Sequence, residues 1–481
     1  MKTGTLLWAV ALLTVACGNG GDIEYLDGRS DAVELRFEQD TTGEEVVEPG
    51  DVLGDDSLVD DSDADALEPP DDISAEVLEV VDDTDSSIDT DDTQGDETDL
   101  VDDEADTNQG PVYDVEEVAS HDGAPWHRVL HLQITHPMLS ADKFLDETRH
   151  TDPDIVEWFD GETDPGPGHF LLHEGNLCTD AASTPVLLLH GTGGNAQETF
   201  VEPDLLGANY LATLESEGLC VYAITFAHPF GNIWNETIVL AGALEWIRGE
   251  TGVSKVDVVG HSKGGIPAIA YASGYALDHF ALEYAGDIRR LVLMGTPIGG
   301  MDFSFRHPTF NYPDEMMQLA MPGTWDQILE YGTWKDVYET SIYGGAYDGN
   351  LQLLRAWDDE YSLNMVEQDW YTTYYGGQGF ISHSLGIAEA IDMGGNFMAG
   401  LRTHTVPASV DVFIGYGSSP VLGAVVWEAT GPSDGLVFVA SASDQSLFEN
   451  VAGAHEFPLL SHWQLVSTNT GADWVASKLL Q

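Results

Sequence analysis

Four short, mostly apolar runs place the strongest constraint on what this chain of 481 residues folds into. Val186-Leu187-Leu188-Leu189, residues 219–226, Val256-Asp257-Val258-Val259 and Leu291-Val292-Leu293-Met294 follow one another at intervals of 20 to 35 residues. A strand with one wet face alternates polar and apolar side chains, so near-continuous runs belong to strands covered on both faces. Helix-length gaps between such strands indicate βα units and a parallel sheet. Three of the runs end in glycine-rich turns: His190-Gly191-Thr192-Gly193-Gly194-Asn195, Gly260-His261-Ser262-Lys263-Gly264-Gly265 and Gly295-Thr296-Pro297. Upstream, the alternation in Val129-Leu130-His131-Leu132-Gln133-Ile134 predicts a leading strand.

The second of these turns carries chemistry. A serine hydroxyl is a poor nucleophile at neutral pH and needs a base within reach on a sharp, exposed strand-to-helix bend; glycines flanking it remove the side chains that would block such a bend. Ser262 stands between Gly260 and Gly264, after a β-branched run and before the apolar, helix-like residues 266–271. Acyl transfer also needs donors aimed at the developing oxyanion. The backbone N–H of Lys263, directly after Ser262, is one candidate. The amide of Thr192, in the turn after the first central strand, is the other.

These motifs resemble the α/β-hydrolase fold, and more narrowly the class 2 bacterial lipases, which are extracellular triacylglycerol lipases and esterases. The likeness covers Leu177 to Gly300 best, through the strand into His190-Gly191-Thr192-Gly193, Gly218-Leu219-Cys220-Val221-Tyr222 and Val259-Gly260-His261-Ser262-Lys263-Gly264-Gly265. It implies a mostly parallel central sheet flanked by helices, a Ser262 nucleophile, and a disulfide between Cys178 and Cys220, which an exported protein favours. The fold orders its triad as serine, acid, histidine. Ser433-Asp434-Gly435-Leu436-Val437 looks like the loop that carries the family's acid, with Asp411 in the late strand Val410-Asp411-Val412-Phe413-Ile414 as the fallback. Two histidines follow Asp434. His462, in a loop before the helix-like residues 472–480, is where the resemblance puts the base; His455 lies in another stretch read as loop.

Charge divides the chain. Residues 18–118 hold 38 of the 84 acids against two basic residues, Arg29 and Arg36, and this stretch reads as a disordered acidic tether because self-repulsion and low hydrophobicity do not offset the entropy of ordering. Ahead of it, Lys2, the apolar residues 6–16 and Cys17 read as an export signal, and Thr14-Val15-Ala16-Cys17 resembles the lipobox of bacterial lipoproteins. The expectation is a lipid anchor on Cys17 at the cell envelope, or secretion if Cys17 is not lipidated. No stretch clusters Lys and Arg as a nucleic-acid footprint requires.

Residues 119–481 then form the hydrolase body, with a cap insertion at about 300–405 rich in aromatic residues, among them Phe303, Phe305, Trp325, Trp357 and Tyr374, together with Met316, Met317 and Met321. Such a cap builds its own small core and offers an apolar acyl pocket. The histidines between His121 and His173 match no zinc spacing, so no metal or cofactor is expected. The functional expectation is a serine ester hydrolase acting on a lipid or other ester through an acyl-enzyme. A polyester depolymerase, an amidase or an acyltransferase would use the same residues, and a surface binding protein would keep the fold without turnover.

Overall fold

The computed structural model describes residues 113–178, 184–202, 208–307, 322–363, 368–422, 425–426, 428 and 430–481. Cys17 and the segment expected to be an export signal, the acidic stretch up to residue 112, and Met316, Met317 and Met321 lie outside the described residues.

A nine-stranded sheet runs through the body in the order β1-β2-β3-β5-β4-β6-β7-β12-β15. Its strands are β1 (Asp114–His121), β2 (Arg128–Thr135), β3 (His169–Glu174), β4 (Val186–Leu189), β5 (Val221–Phe226), β6 (Val256–His261), β7 (Ile288–Met294), β12 (Asp411–Gly417) and β15 (Val451–Phe457). The first three strands pair antiparallel, and β3 meets β5 antiparallel. From β5 to β15 every pairing is parallel.

The near-continuous runs are buried on both faces as their composition demands. Leu187, Leu189, Val258, Leu291 and Leu293 face one core with the helices Ile233–Thr251 and Gly265–Ala272. Val186, Leu188, Val259, Val292 and Met294 face the other, with the helices Tyr210–Ser216 and Asn469–Leu479. This is the α/β-hydrolase architecture. Its parallel strands all point their C-terminal ends at one edge, where the turns after β4, β6 and β7 gather.

The body begins earlier than composition indicates. β1 starts at Asp114, inside the stretch expected to be tether, and the Val129–Ile134 alternation is the second strand rather than the leading one. Tyr113 and Val115 pack against the core while Glu116 and Glu117 stay in solvent, so an edge strand tolerates acids that a charge count assigns to a linker.

The segment expected to be a cap carries its own antiparallel sheet, ordered β10-β11-β8-β9, from β8 (Gln327–Glu330), β9 (Thr333–Asp336), β10 (Gly377–Gln378) and β11 (Ser382–Ser384). Phe305, Ile342, Tyr343, Tyr347, Leu351, Tyr374 and Ile387 form a separate buried cluster, joined by Phe230 from the body. Between β12 and Asp434 the chain makes a small ribbon, β13 (Val421–Leu422) with β14 (Val425–Val426). That ribbon accounts for the long span between β12 and the loop that holds Asp434. Cys178 and Cys220 are joined by a disulfide that pins the approach to β4 onto the start of β5.

Candidate active site

β6 ends at His261, and the chain turns at Ser262 with φ +54 before a short helical turn and the helix Gly265–Ala272. A residue with a Cβ costs about 1–3 kcal/mol in this left-handed region, and the surrounding packing holds it there. Gly264 makes the bend feasible, since a Cβ on it would overlap the carbonyls of Leu189 and His190. Ser262 remains partly exposed while Lys263 and Gly264 are buried. The amide of Lys263 opens a helical turn, where the first N–H groups have no intrahelical acceptor.

The turn after β4 closes on the same residue. A Cβ on Gly191 would stand 2.8 Å from Ser262 Cβ, so only glycine lets the loop come this near. His190 braces it from below: its Nδ1–H donates to Gly191 O (2.8 Å) and its Nε2 accepts from the Phe226 N–H (3.3 Å). Burial pushes the His190 imidazole down to about 3, so it serves as a neutral strut. Gly193 N–H donates to Pro229 O (2.9 Å) and Gly194 N–H to Gly191 O (3.3 Å). Among the described residues the amide of Thr192 has no acceptor.

Asp434 and His462 arrive together. The Asp434 carboxylate is fully buried; Oδ1 accepts from the N–H groups of Leu436 (3.1 Å) and Val437 (2.8 Å), and Oδ2 lies 2.8 Å from His462 Nδ1. The His462 backbone N–H also donates to Asp434 O (2.8 Å). With Nδ1 held as the donor to a carboxylate, Nε2 is left free to accept. His261, the residue before Ser262, touches this pair: its Nε2 lies 3.3 Å from His462 O and its ring centroid 5.1 Å from that of His462. Burial, and secondarily the neighbouring His462, push His261 well below the usual histidine range. The turn after β7 packs on the other side, where a Cβ on Gly295 would come 3.3 Å from His462 Nδ1 and 3.4 Å from Asp434 Oδ2. Ser262, Asp434 and His462 therefore gather at one edge of the sheet. No hydrogen bond joins Ser262 Oγ to His462 among the described residues.

The two fallback residues lie elsewhere. His455 is in strand β15 rather than a loop, exposed and stacked on Trp474 (6.0 Å, 21°). Asp411 begins β12 opposite Arg290 and accepts from Asn450 Nδ2 (2.9 Å), at the N-terminal ends of the parallel strands and so on the far edge from Ser262.

Three features were not legible beforehand. The Lys263 side chain is fully buried, its Nζ donating to Glu236 Oε1 (2.5 Å) and Gly231 O (3.0 Å). Burial pushes the Glu236 carboxyl up, against the pull of Lys263. Arg306 ties the segment after β7 to the stretch ahead of Asp434, with Nη2 on Asp302 Oδ2 (2.7 Å) and Nη1 on Thr430 Oγ1 (3.3 Å), two residues from Glu428, whose carbonyl accepts from Ser433 Oγ (2.7 Å). The histidines ahead of β4 are mostly built into the body; His131 lies between Asp160 (2.7 Å) and His169 (2.8 Å). Among the described residues no group of His, Cys, Asp or Glu is arranged to hold a metal ion.

Sheet order, the turn at Ser262 and the facing Asp434–His462 pair together define a site of the α/β-hydrolase kind. No family model matches the chain. Solved structures to which it is similar include the mature form of Bacillus licheniformis lipase BlEst2, at 16% identity over 66% of this chain and 99% of that one, with a TM-score of 0.36. Paleococcus ferrophilus monoacylglycerol lipase is 14% identical over 62% of this chain and 96% of that one (TM-score 0.31). A carboxylesterase structure from Nitrososphaera gargenis is 14% identical over 65% and 94% (TM-score 0.32).

Proposed function

We propose that the protein is a serine ester hydrolase of the class 2 bacterial lipase kind, acting on a lipid-like carboxylic ester. The observation that carries this reading is the left-handed backbone at Ser262, at φ +54 on a strand-to-helix bend beside Gly191, where any Cβ would crowd it. Ser262 Oγ attacks the ester carbonyl carbon as His462 Nε2 takes its proton, and Asp434 stabilises the imidazolium so formed. The carbonyl oxygen, now negative, is held by the amides of Thr192 and Lys263. As the tetrahedral intermediate collapses, His462 returns the proton to the departing alcohol, leaving an acyl group on Ser262. Water, deprotonated by His462, then releases the acid and restores the serine.

The test is labelling by a fluorophosphonate probe beside hydrolysis of a p-nitrophenyl ester. Wild type is expected to do both and Ser262→Ala neither. Equal rates for the two proteins would remove Ser262 from the mechanism. The expected anchor on Cys17 belongs to the same proposal: Cys17→Ser should shift the protein from the membrane fraction to the soluble fraction, and unchanged partitioning would refute lipidation.

A further inference from the structure

The oxyanion loop is held at three points, and one of them comes from the cap. His190 and Pro229 fix Gly191 and Gly193 from within the body. The third tie is the Thr192 hydroxyl, which donates to Asn350 Oδ1 at 3.2 Å across 158 residues of chain. Asn350 is 9% exposed and sits in the short cap helix Asp348–Gln352.

That helix is itself registered against the body. Gly349 N–H donates to Phe230 O (3.1 Å), Gln352 Oε1 accepts from the Ile233 N–H (2.6 Å), and Gln352 Nε2 donates to Asn232 Oδ1 (2.9 Å). A Cβ on Gly349 would overlap Gly231 O and stand 3.0 Å from Lys263 Nζ. One short helix thus reaches both residues to which the hydrolase reading assigns the oxyanion amides: Thr192 through Asn350, and Lys263 through the Gly231 carbonyl its ammonium grips.

We propose that Asn350 is a positioning residue for oxyanion stabilisation, an inference that rests on the hydrolase reading above. Anchoring the Thr192 hydroxyl restrains the positions of its Cβ and Cα and so limits how far the Gly191–Thr192 peptide can swing, and the amide is aimed before substrate arrives. Preorganised donors stabilise a transition state because they need not reorient as charge develops. Without Asn350 the Thr192 hydroxyl turns freely and the amide direction spreads. Ground-state binding of the ester, which carries little charge on its carbonyl oxygen, depends on this much less.

The experiment compares Asn350→Ala, Thr192→Val, the double variant and Thr192→Ser, each normalised by probe-titrated active fraction so that misfolded protein does not count. With a soluble short-chain p-nitrophenyl ester, kcat is expected to fall between about tenfold and a hundredfold in Asn350→Ala and in Thr192→Val, with KM within about threefold. The double variant should be no slower than the worse single variant, because both remove one bond. Thr192→Ser, which keeps the hydroxyl, should lose less than Thr192→Val, and fluorophosphonate labelling rates should follow kcat. Wild-type kcat in Asn350→Ala, a loss confined to KM, or losses that multiply in the double variant would each overturn the assignment. If wild type reacts with the probe and Asn350→Ala reacts equally fast, this inference alone falls; if wild type does not react at all, the hydrolase reading falls and takes this one with it.

Discussion

Mild acid should weaken this protein before its carboxylates are neutralised, and one histidine shows why. His173 on β3 is fully buried between Trp126 (ring centroids 5.2 Å apart) and Trp158 (5.4 Å), its Nε2 2.9 Å from Thr225 Oγ1 and its Nδ1 without a partner among the described residues. Desolvation pushes its imidazole down to about 3. His190 and His228 are lowered to about the same value, chiefly by the same cause. The folded state keeps these rings neutral, whereas in the unfolded chain they protonate near 6.5, so their contribution is fully present above that pH and is lost as pH falls toward 3. At pH 5 the unfolded chain gains about 2 kcal/mol from each ring, about 6 kcal/mol for the three, against a total stability of about 5–15 kcal/mol for a typical domain. Asp348, pushed up to about 6 by burial and the nearby Asp142, works in the opposite direction, as does Glu236. A comparison with His173→Gln isolates the single ring. Urea unfolding followed by tryptophan fluorescence at pH 8, 7, 6 and 5 should show the variant somewhat less stable at pH 8 but losing less with acid, the difference in slope approaching about 1.4 kcal/mol per pH unit below pH 6. Parallel stability curves for the two proteins would refute the assignment of His173 as a buried neutral ring.

Asp434→Asn should lower kcat by about 10⁴-fold with little change in KM, because the amide leaves the geometry but favours the wrong imidazole tautomer. His462→Ala should be inactive in the same ester assay while His455→Ala keeps its turnover, since His455 stacks on Trp474 away from Asp434; activity lost in His455→Ala alone would reverse the assignment. Replacing Cys178 and Cys220 together by serine opens a loop spanning 42 residues, for which chain entropy gives a loss of about 4 kcal/mol. Chemical denaturation of oxidised wild type against the double variant measures this, and equal midpoints would mean that the crosslink constrains nothing the fold does not already hold.

How much of this was readable in the chain follows from the range of the forces involved. Burial on both faces is written into a strand's own residues, so the parallel core and the order of its turns were legible from Val186-Leu187-Leu188-Leu189 and Val256-Asp257-Val258-Val259. The bend at Ser262 was legible too, since the glycines that permit it are its neighbours in sequence. Charge counting failed at β1, because an edge strand holds on with a few apolar side chains while leaving its acids in water. The choice between His462 and His455, and between Asp434 and Asp411, needed the parallel sheet to be built. Only then does one acid stand at the C-terminal edge beside a histidine and the other at the opposite end. The Lys263–Glu236 pair, the Arg306 tie and the reach of Asn350 to Thr192 were decided by tertiary structure alone. Each joins residues distant in sequence, through side chains whose identities are common on any surface, and what brings them together is the packing of the whole chain.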